Sequence, residues 1–273
     1  TLRKQNILLA FGELRYEPAR ETLVEIISDP DEDKAMRWYA CDALGKIANR
    51  DDIPVIKKLL SDKDEILKSY AVSALSRYEG DEIDQILITS LRESSPKIRI
   101  SATKTLGERK VKDAVPILIF KAEKDPEPKV REEALSALGS IGGRDAYEFL
   151  ASQFARDTTP NNLRIIALKG MLDIDPADAI KAAEALIAKE WNSKDSKILD
   201  AVCQELSLRE NGALEKTFSL MLTHPSSVTI QIYGIRGIVR NKFRSQKPAI
   251  EELSKNSKSS SVKKTALSAL EEL

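Results

Sequence analysis

Histidine occurs once and cysteine twice in these 273 residues, and aromatics make up only 5%. A catalytic metal or a catalytic triad asks for histidine clustered with Cys, Asp, Glu or Ser. The lone His224 precedes Pro225 in a link, with no visible partner, and reads as incidental. Cys41 and Cys203 cannot build a disulfide framework and read as buried free thiols. That leans towards a reducing, cytoplasmic setting. The chain starts at Thr1 without Met, so an exported form that has shed a leader stays open. Long apolar runs are missing too. The longest, residues 114–120, falls far short of the roughly 18 to 20 residues a membrane span needs. Phosphate-cradling glycine loops are absent: residues 139–143 read Gly-Ser-Ile-Gly-Gly with no Lys-Ser or Lys-Thr after them, which fits a helix terminator. Net charge is zero, with 43 basic and 43 acidic residues, so bulk electrostatics names no partner.

What is present is a repeat. The pattern Ala-Leu-x-x-Leu-Gly, or a degraded copy, recurs along the chain. Its reference positions are Gly12, Gly45, Ser76, Gly107, Gly139, Leu172, Ser207, Val239 and Glu271, separated by 31 to 35 residues. Each copy carries an apolar stripe of helical period. In the fifth, Val130, Ala134, Leu135, Ala137, Leu138 and Ile141 stand three and four apart. Gly142-Gly143 then ends this helix A, and a helix B follows from about Ala146. One such hairpin cannot hide its stripe alone, so neighbours must stack. The expectation is an all-α chain, a right-handed α-α superhelix of about eight helical hairpins plus a terminal helix. It forms one solenoid over residues 1–273, with looser repeat geometry at 226–262. The Ser254-to-Ser261 stretch is polar enough to be a link.

The clearest copy, Pro128-Lys129-Val130-Arg131-Glu132-Glu133-Ala134-Leu135-Ser136-Ala137-Leu138-Gly139-Ser140-Ile141-Gly142, resembles the HEAT-like repeat family, armadillo-like helical proteins, in its short-repeat, phycobilisome-lyase-type form. The likeness runs over nearly the whole chain and is weakest near the eighth repeat. It implies a solenoid scaffold. A basic column stands eight positions before the reference residue: Lys4, Arg37, Lys68, Arg99, Arg131, Arg164 and Lys263, broken at Leu199 and Gln231. The resemblance implies that such residues bond to an Asp or to carbonyls in the turn between hairpins, and Asp29, Asp62, Asp125 and Asp157 stand where this could happen. A ligand-facing row is the alternative. The family's enzymatic branch that hydroxylates a modified lysine uses several His-Glu pairs around iron. None is seen here, so the chain is expected not to be an enzyme, with no catalytic residue, metal or cofactor.

Charge is unevenly spread. Residues 21–93 hold 17 acidic and 10 basic residues, a net −7, while residues 226–265 hold 9 basic and 2 acidic, a net +7. Such asymmetry can steer an oriented partner or favour head-to-tail contacts, or be ordinary surface variation. The expected function is a protein- or peptide-binding scaffold whose wall is made mainly by B helices. Candidate contact residues are Trp38, Tyr39, Lys57, Lys58, Lys121, Arg240, Lys242, Arg244 and Lys247. Nucleic acid held by the basic C-terminal part is the alternative. The final stripe of Ala266, Leu267, Ala269, Leu270 and Leu273 lacks a B partner, so either a longer solenoid or self-association through this end is expected.

Overall fold

A computed structural model describes residues 2–193 and 195–273. Among them are seventeen α-helices and no strand, falling into two compact units, 1–146 and 147–273. The helices pair as eight hairpins with one helix over, as the repeat predicts.

In the N-terminal unit the A helices are α1 (Leu2–Glu13), α3 (Lys34–Ile47), α5 (Glu65–Leu75), α7 (Pro96–Glu108) and α9 (Pro128–Ile141). Their B partners are α2 (Arg20–Ser28), α4 (Ile53–Leu59), α6 (Asp81–Ser90) and α8 (Val115–Lys124), while α10 (Arg144–Ala155) carries the boundary between the units. Local chemistry sets the helix starts. Asp33 and Asp64 cap α3 and α5 by accepting backbone N–H groups, and proline opens α7 and α9, where its missing N–H costs nothing. Leu44, Leu67, Leu75, Ile98 and Leu106 are fully buried or nearly so, in the stripe positions of the repeat.

The reference glycine turns out to be a packing device between A helices. Each A helix of this unit lies on the next. A Cβ on Gly45 would stand 2.7 Å from Cα and Cβ of Ala74, and one on Gly107 would stand 2.8 Å from Cα of Ala137. The alanine two positions before one reference residue therefore fits against the glycine of the preceding hairpin. One step breaks the rule, because Ser76 and Thr105 occupy the pair. A cavity of about 450 Å³ opens there, lined by Ser76 and Thr105 together with Tyr70, Ser73, Lys97 and Ser101.

The C-terminal unit continues with α11 (Asn161–Ile174), α12 (Pro176–Glu190), α13 (Lys197–Ser207), α14 (Glu215–Leu222), α15 (Val228–Asn241), α16 (Lys247–Asn256) and α17 (Ser260–Glu272). Its reference positions hold Leu172, Ser207 and Val239, and glycine has moved to the inner side of α15. Cβ atoms on Gly234 and Gly237 would come within 2.9 Å of Met221 Cβ and 2.6 Å of the Phe218 ring. These two glycines let α15 sink onto α14. Of the polar stretch 254–261, only residues 257–259 lie outside the helices, and the Ser259 side chain caps α17.

Candidate functional site

Five members of the basic column, Arg37, Lys68, Arg99, Arg131 and Arg164, are bound at the turns. Arg37, 7% exposed, donates to the Ile27 carbonyl at 3.0 Å and pairs with Asp62 at 2.7 Å. Arg99 grips Asp125 through Nε at 2.9 Å and NH2 at 2.7 Å, while NH1 donates to the carbonyls of Glu93 and Ser94. Arg131 donates to the Asp125 carbonyl at 2.7 Å. Arg164 donates to the Phe154 carbonyl at 2.8 Å, lies over the Phe154 ring and reaches Asp157 at 3.5 Å. Lys68 meets Glu65 and Glu93. At the Gln231 break the amide does the same work, donating to the His224 carbonyl at 2.9 Å. A planar, many-donor fork suits a turn that presents several carbonyls at once. Burial works against the Asp125 carboxylate, yet hydrogen bonds from Arg99, the Glu127 N–H and Lys121 hold it below the usual carboxylate range. Asp62 is held low in the same way, with Asp64 N–H and Arg37 overcoming burial.

His224 is not incidental. It is 4% exposed, its Nδ1 accepts the Ser227 N–H at 2.9 Å, and its ring meets Trp191 edge-on at 4.5 Å between centroids. It builds the turn between α14 and α15, as a side-chain acceptor near a helix start commonly does. Burial pushes the thiols of Cys41 and Cys203 up to about 12, which makes both inert core groups.

Of the candidate contact residues, Trp38 stacks on Tyr70 with rings 6.3 Å apart and donates Nε1 to Asp64 at 2.8 Å. It therefore joins the second and third hairpins. Tyr39 is half-buried and Lys58 exposed. Lys57 is tied to Glu82 at 2.8 Å, and Lys121 to Asp125 at 3.1 Å.

The C-terminal cations behave differently. Arg240 is exposed and donates Nε to the Ser207 carbonyl at 3.2 Å. Lys242, Arg244 and Lys247 are exposed, and among the described residues none of these four makes an ion pair. Lys242 is the C-cap of α15, and Arg244 and Lys247 stand where the chain enters α16, whose first turn carries no acid. A helix start favours anions, so Lys247 acts against the stability of its own helix, whereas Lys242 stands at a helix end that favours cations.

Beside them, on the A-helix side, a groove of about 550 Å³ crosses α13, α15 and α17. Ser207, Val239 and Ala269 lie in its lining, where the reference glycine is replaced. Tyr233, Arg236 and Arg240 project from α15, which forms the floor, and Gln204 and Ser268 come from the flanking helices. Sequence reading named Arg240 and missed Tyr233, Arg236 and Gln204. The replacements at Ser76, Ser207 and Val239 are visible in the sequence, and the cavities beside them show what they do, which is to let adjacent A helices stand apart. Among the described residues, no group of three or more His, Cys, Asp or Glu is placed to hold a metal ion, and no helix is long and apolar enough to cross a membrane.

The profile of the spirochaete HEAT repeat proteins matches residues 2–269. The chain belongs to that family. Among solved structures this HEAT repeat chain is similar to one in the Kap95:Nup1 complex, with a TM-score of 0.63 at 13% identity over 98% of this chain and 44% of that one. That likeness is one of fold. Among curated proteins it is similar to deoxyhypusine hydroxylase of Eremothecium gossypii, 33% identical over 85 residues, or 31% of this chain and 26% of the relative. The same enzyme of Candida albicans is 28% identical over 85 residues, or 27% of its length. The match thus spans about a quarter of these relatives.

The relatives correct one expectation. The lone histidine was read as meaning that the chain is not an enzyme, yet the curated proteins that its sequence matches are enzymes by name. The repeat stabilises a stack through stripes and turn braces, whereas chemistry belongs to a few side chains placed upon it. Membership of a HEAT repeat family therefore carries no exclusion of catalysis.

Proposed function

We propose that this HEAT repeat chain is a protein-binding scaffold, and that the C-terminal unit holds the contact surface for an acidic protein or peptide. One observation carries the reading. Arg37, Lys68, Arg99, Arg131 and Arg164 of the turn ladder are consumed by carbonyls and carboxylates of the fold, while Arg236, Lys242, Arg244 and Lys247 have no such employment among the described residues. Lys247 is moreover kept unpaired at a helix start, against local stability, as a residue retained for recognition can be. The net +7 of residues 226–265 adds long-range steering towards an acidic partner.

Nucleic acid is the second reading, supported by the same cations. A strand binder would also offer aromatic platforms. Phe243, the aromatic nearest this cluster in sequence, is half-buried against Phe218 with ring centroids 6.4 Å apart. A pull-down with the whole gene product as bait separates the readings. Capture of one or more acidic proteins is expected, released by salt and lost on the double charge reversal Arg244→Glu/Lys247→Glu. Retention of nucleic acid alone, or capture indifferent to the reversal, overturns the proposal.

A further inference from the structure

The groove over α15 is a product of two sequence features acting together. Gly234 and Gly237 lower α15 onto Phe218 and Met221, and Ser207 and Val239 replace the glycine that elsewhere draws A helices together. The floor drops and the walls part. Nothing in the stack needs this, since the Gly45 and Gly107 contacts show the tight alternative within the same chain.

We propose that this groove docks a peptide segment of a partner protein that sets an Asp or Glu side chain on Arg236. The inference rests on the scaffold reading above and adds the place and the chemistry of contact. Arg236 is exposed and has no hydrogen bond or ion pair among the described residues, so its planar fork is free for a bidentate carboxylate. Arg240 is held across the seam by the Ser207 carbonyl at 3.2 Å. Tyr233, half-buried on the same face of α15, offers a flat amphipathic ring of the kind that anchors interfaces at low entropic cost. Glu210 and Glu272 also lie in the lining, so the two arginines are balanced by two acids. A phosphate polymer, with an anion at every residue, cannot place all of them on the arginines and clear of Glu210 and Glu272. A peptide of mixed charge can, which selects protein over nucleic acid as the occupant.

The probe is a displayed library of random 12-residue peptides selected against the whole chain, with the enriched peptides then synthesised and titrated by fluorescence anisotropy. The expected peptides share one acidic position, whose change to Asn or Gln weakens binding at least tenfold. Arg236→Glu weakens binding by the same order, Ser268→Trp, at an exposed position of the lining, fills the groove and abolishes it, and both variants keep the wild-type circular dichroism. Peptides that bind but ignore both variants overturn the groove while leaving the scaffold reading in place. Failure to enrich any peptide overturns the groove, and with a failed pull-down the scaffold reading falls as well. Displacement of the peptide by a short DNA duplex, lost in Arg236→Glu, overturns the choice of a protein occupant.

Discussion

The two units use the same residue types for opposite ends. In the N-terminal unit the cations of the repeat are bound in place: Arg99 makes contacts to Asp125, Glu93 and Ser94, and Arg37 to Ile27 and Asp62. Its A helices are drawn together by glycine against alanine at Gly45 and Gly107. In the C-terminal unit Arg164 is still braced in its turn, but beyond it the reference glycines are gone, a groove replaces the tight contact, and Arg236, Lys242, Arg244 and Lys247 stand without ion pairs among the described residues. The difference teaches that one repeat can be tuned for cohesion or for display by changing one small residue and one basic one per hairpin.

The largest effect is expected where cohesion rests on a buried pair. Asp125 is 0% exposed in its side chain and Arg99 is 7% exposed. Arg99→Ala removes the two-pronged partner of a buried carboxylate and leaves it only Lys121 as a counter-ion, which costs roughly 3 kcal/mol. Thermal denaturation should show a fall on the order of 10 °C, given about 2–4 °C per kcal/mol for domains of this size. The same change at Arg236 should stay within about 0.5 kcal/mol. Equal losses at both positions would break the contrast between the units. Acid titration sharpens it. Folding lowers the pKa of Asp125 and Asp62, so their contribution is complete above the ordinary carboxylate pKa of about 4 and is lost as pH falls through the lower folded values. A melting series below about pH 4 should decline steeply in the wild-type chain and less steeply in Asp125→Asn, which starts lower.

The architecture was legible because it depends on periodicity, and stripes such as Val130 to Ile141 repeat often enough to be read. The basic column was legible as well, down to the Asp62 and Asp125 partners, since both lie at fixed offsets from the reference residue. The role of His224 was not, because its partners are backbone N–H groups and the edge of Trp191, and neither leaves a pattern in side-chain types. The groove was hidden for a related reason. Ser207 and Val239 look like decay of a motif, and only coordinates show that decay opens space. For Lys57 and Lys121, both on B helices, helix phase reports direction and says nothing of the acids waiting at Glu82 and Asp125.

A middle-sized effect tests whether glycine is the spacer. Gly45→Val must push on Ala74, whose Cα and Cβ are 2.7 Å from the new Cβ, and overpacking of this kind costs about 1–3 kcal/mol. Ser76→Val places the same side chain at the equivalent position one hairpin later, beside the 450 Å³ cavity. Denaturant melts should find it within about 1 kcal/mol of the wild-type chain. If both substitutions cost the same, the cavity is not a consequence of the missing glycine.

The smallest effect carries the opposite sign. Lys247 is the first residue of α16, where the partial positive charge of the helix start disfavours a cation. Lys247→Glu should therefore stabilise the chain, by about 0.3–1 kcal/mol at low ionic strength, and the gain should shrink with salt. The corresponding loss belongs to binding: the same variant should retain less of an acidic partner. Stability and capture moving in opposite directions on one substitution is the behaviour of a residue kept for contact, because a cation with only a structural role would lose both or neither. A Lys247→Glu chain that is less stable and binds as well as before would return this residue to the cohesive class and leave the contrast resting on Arg236 alone.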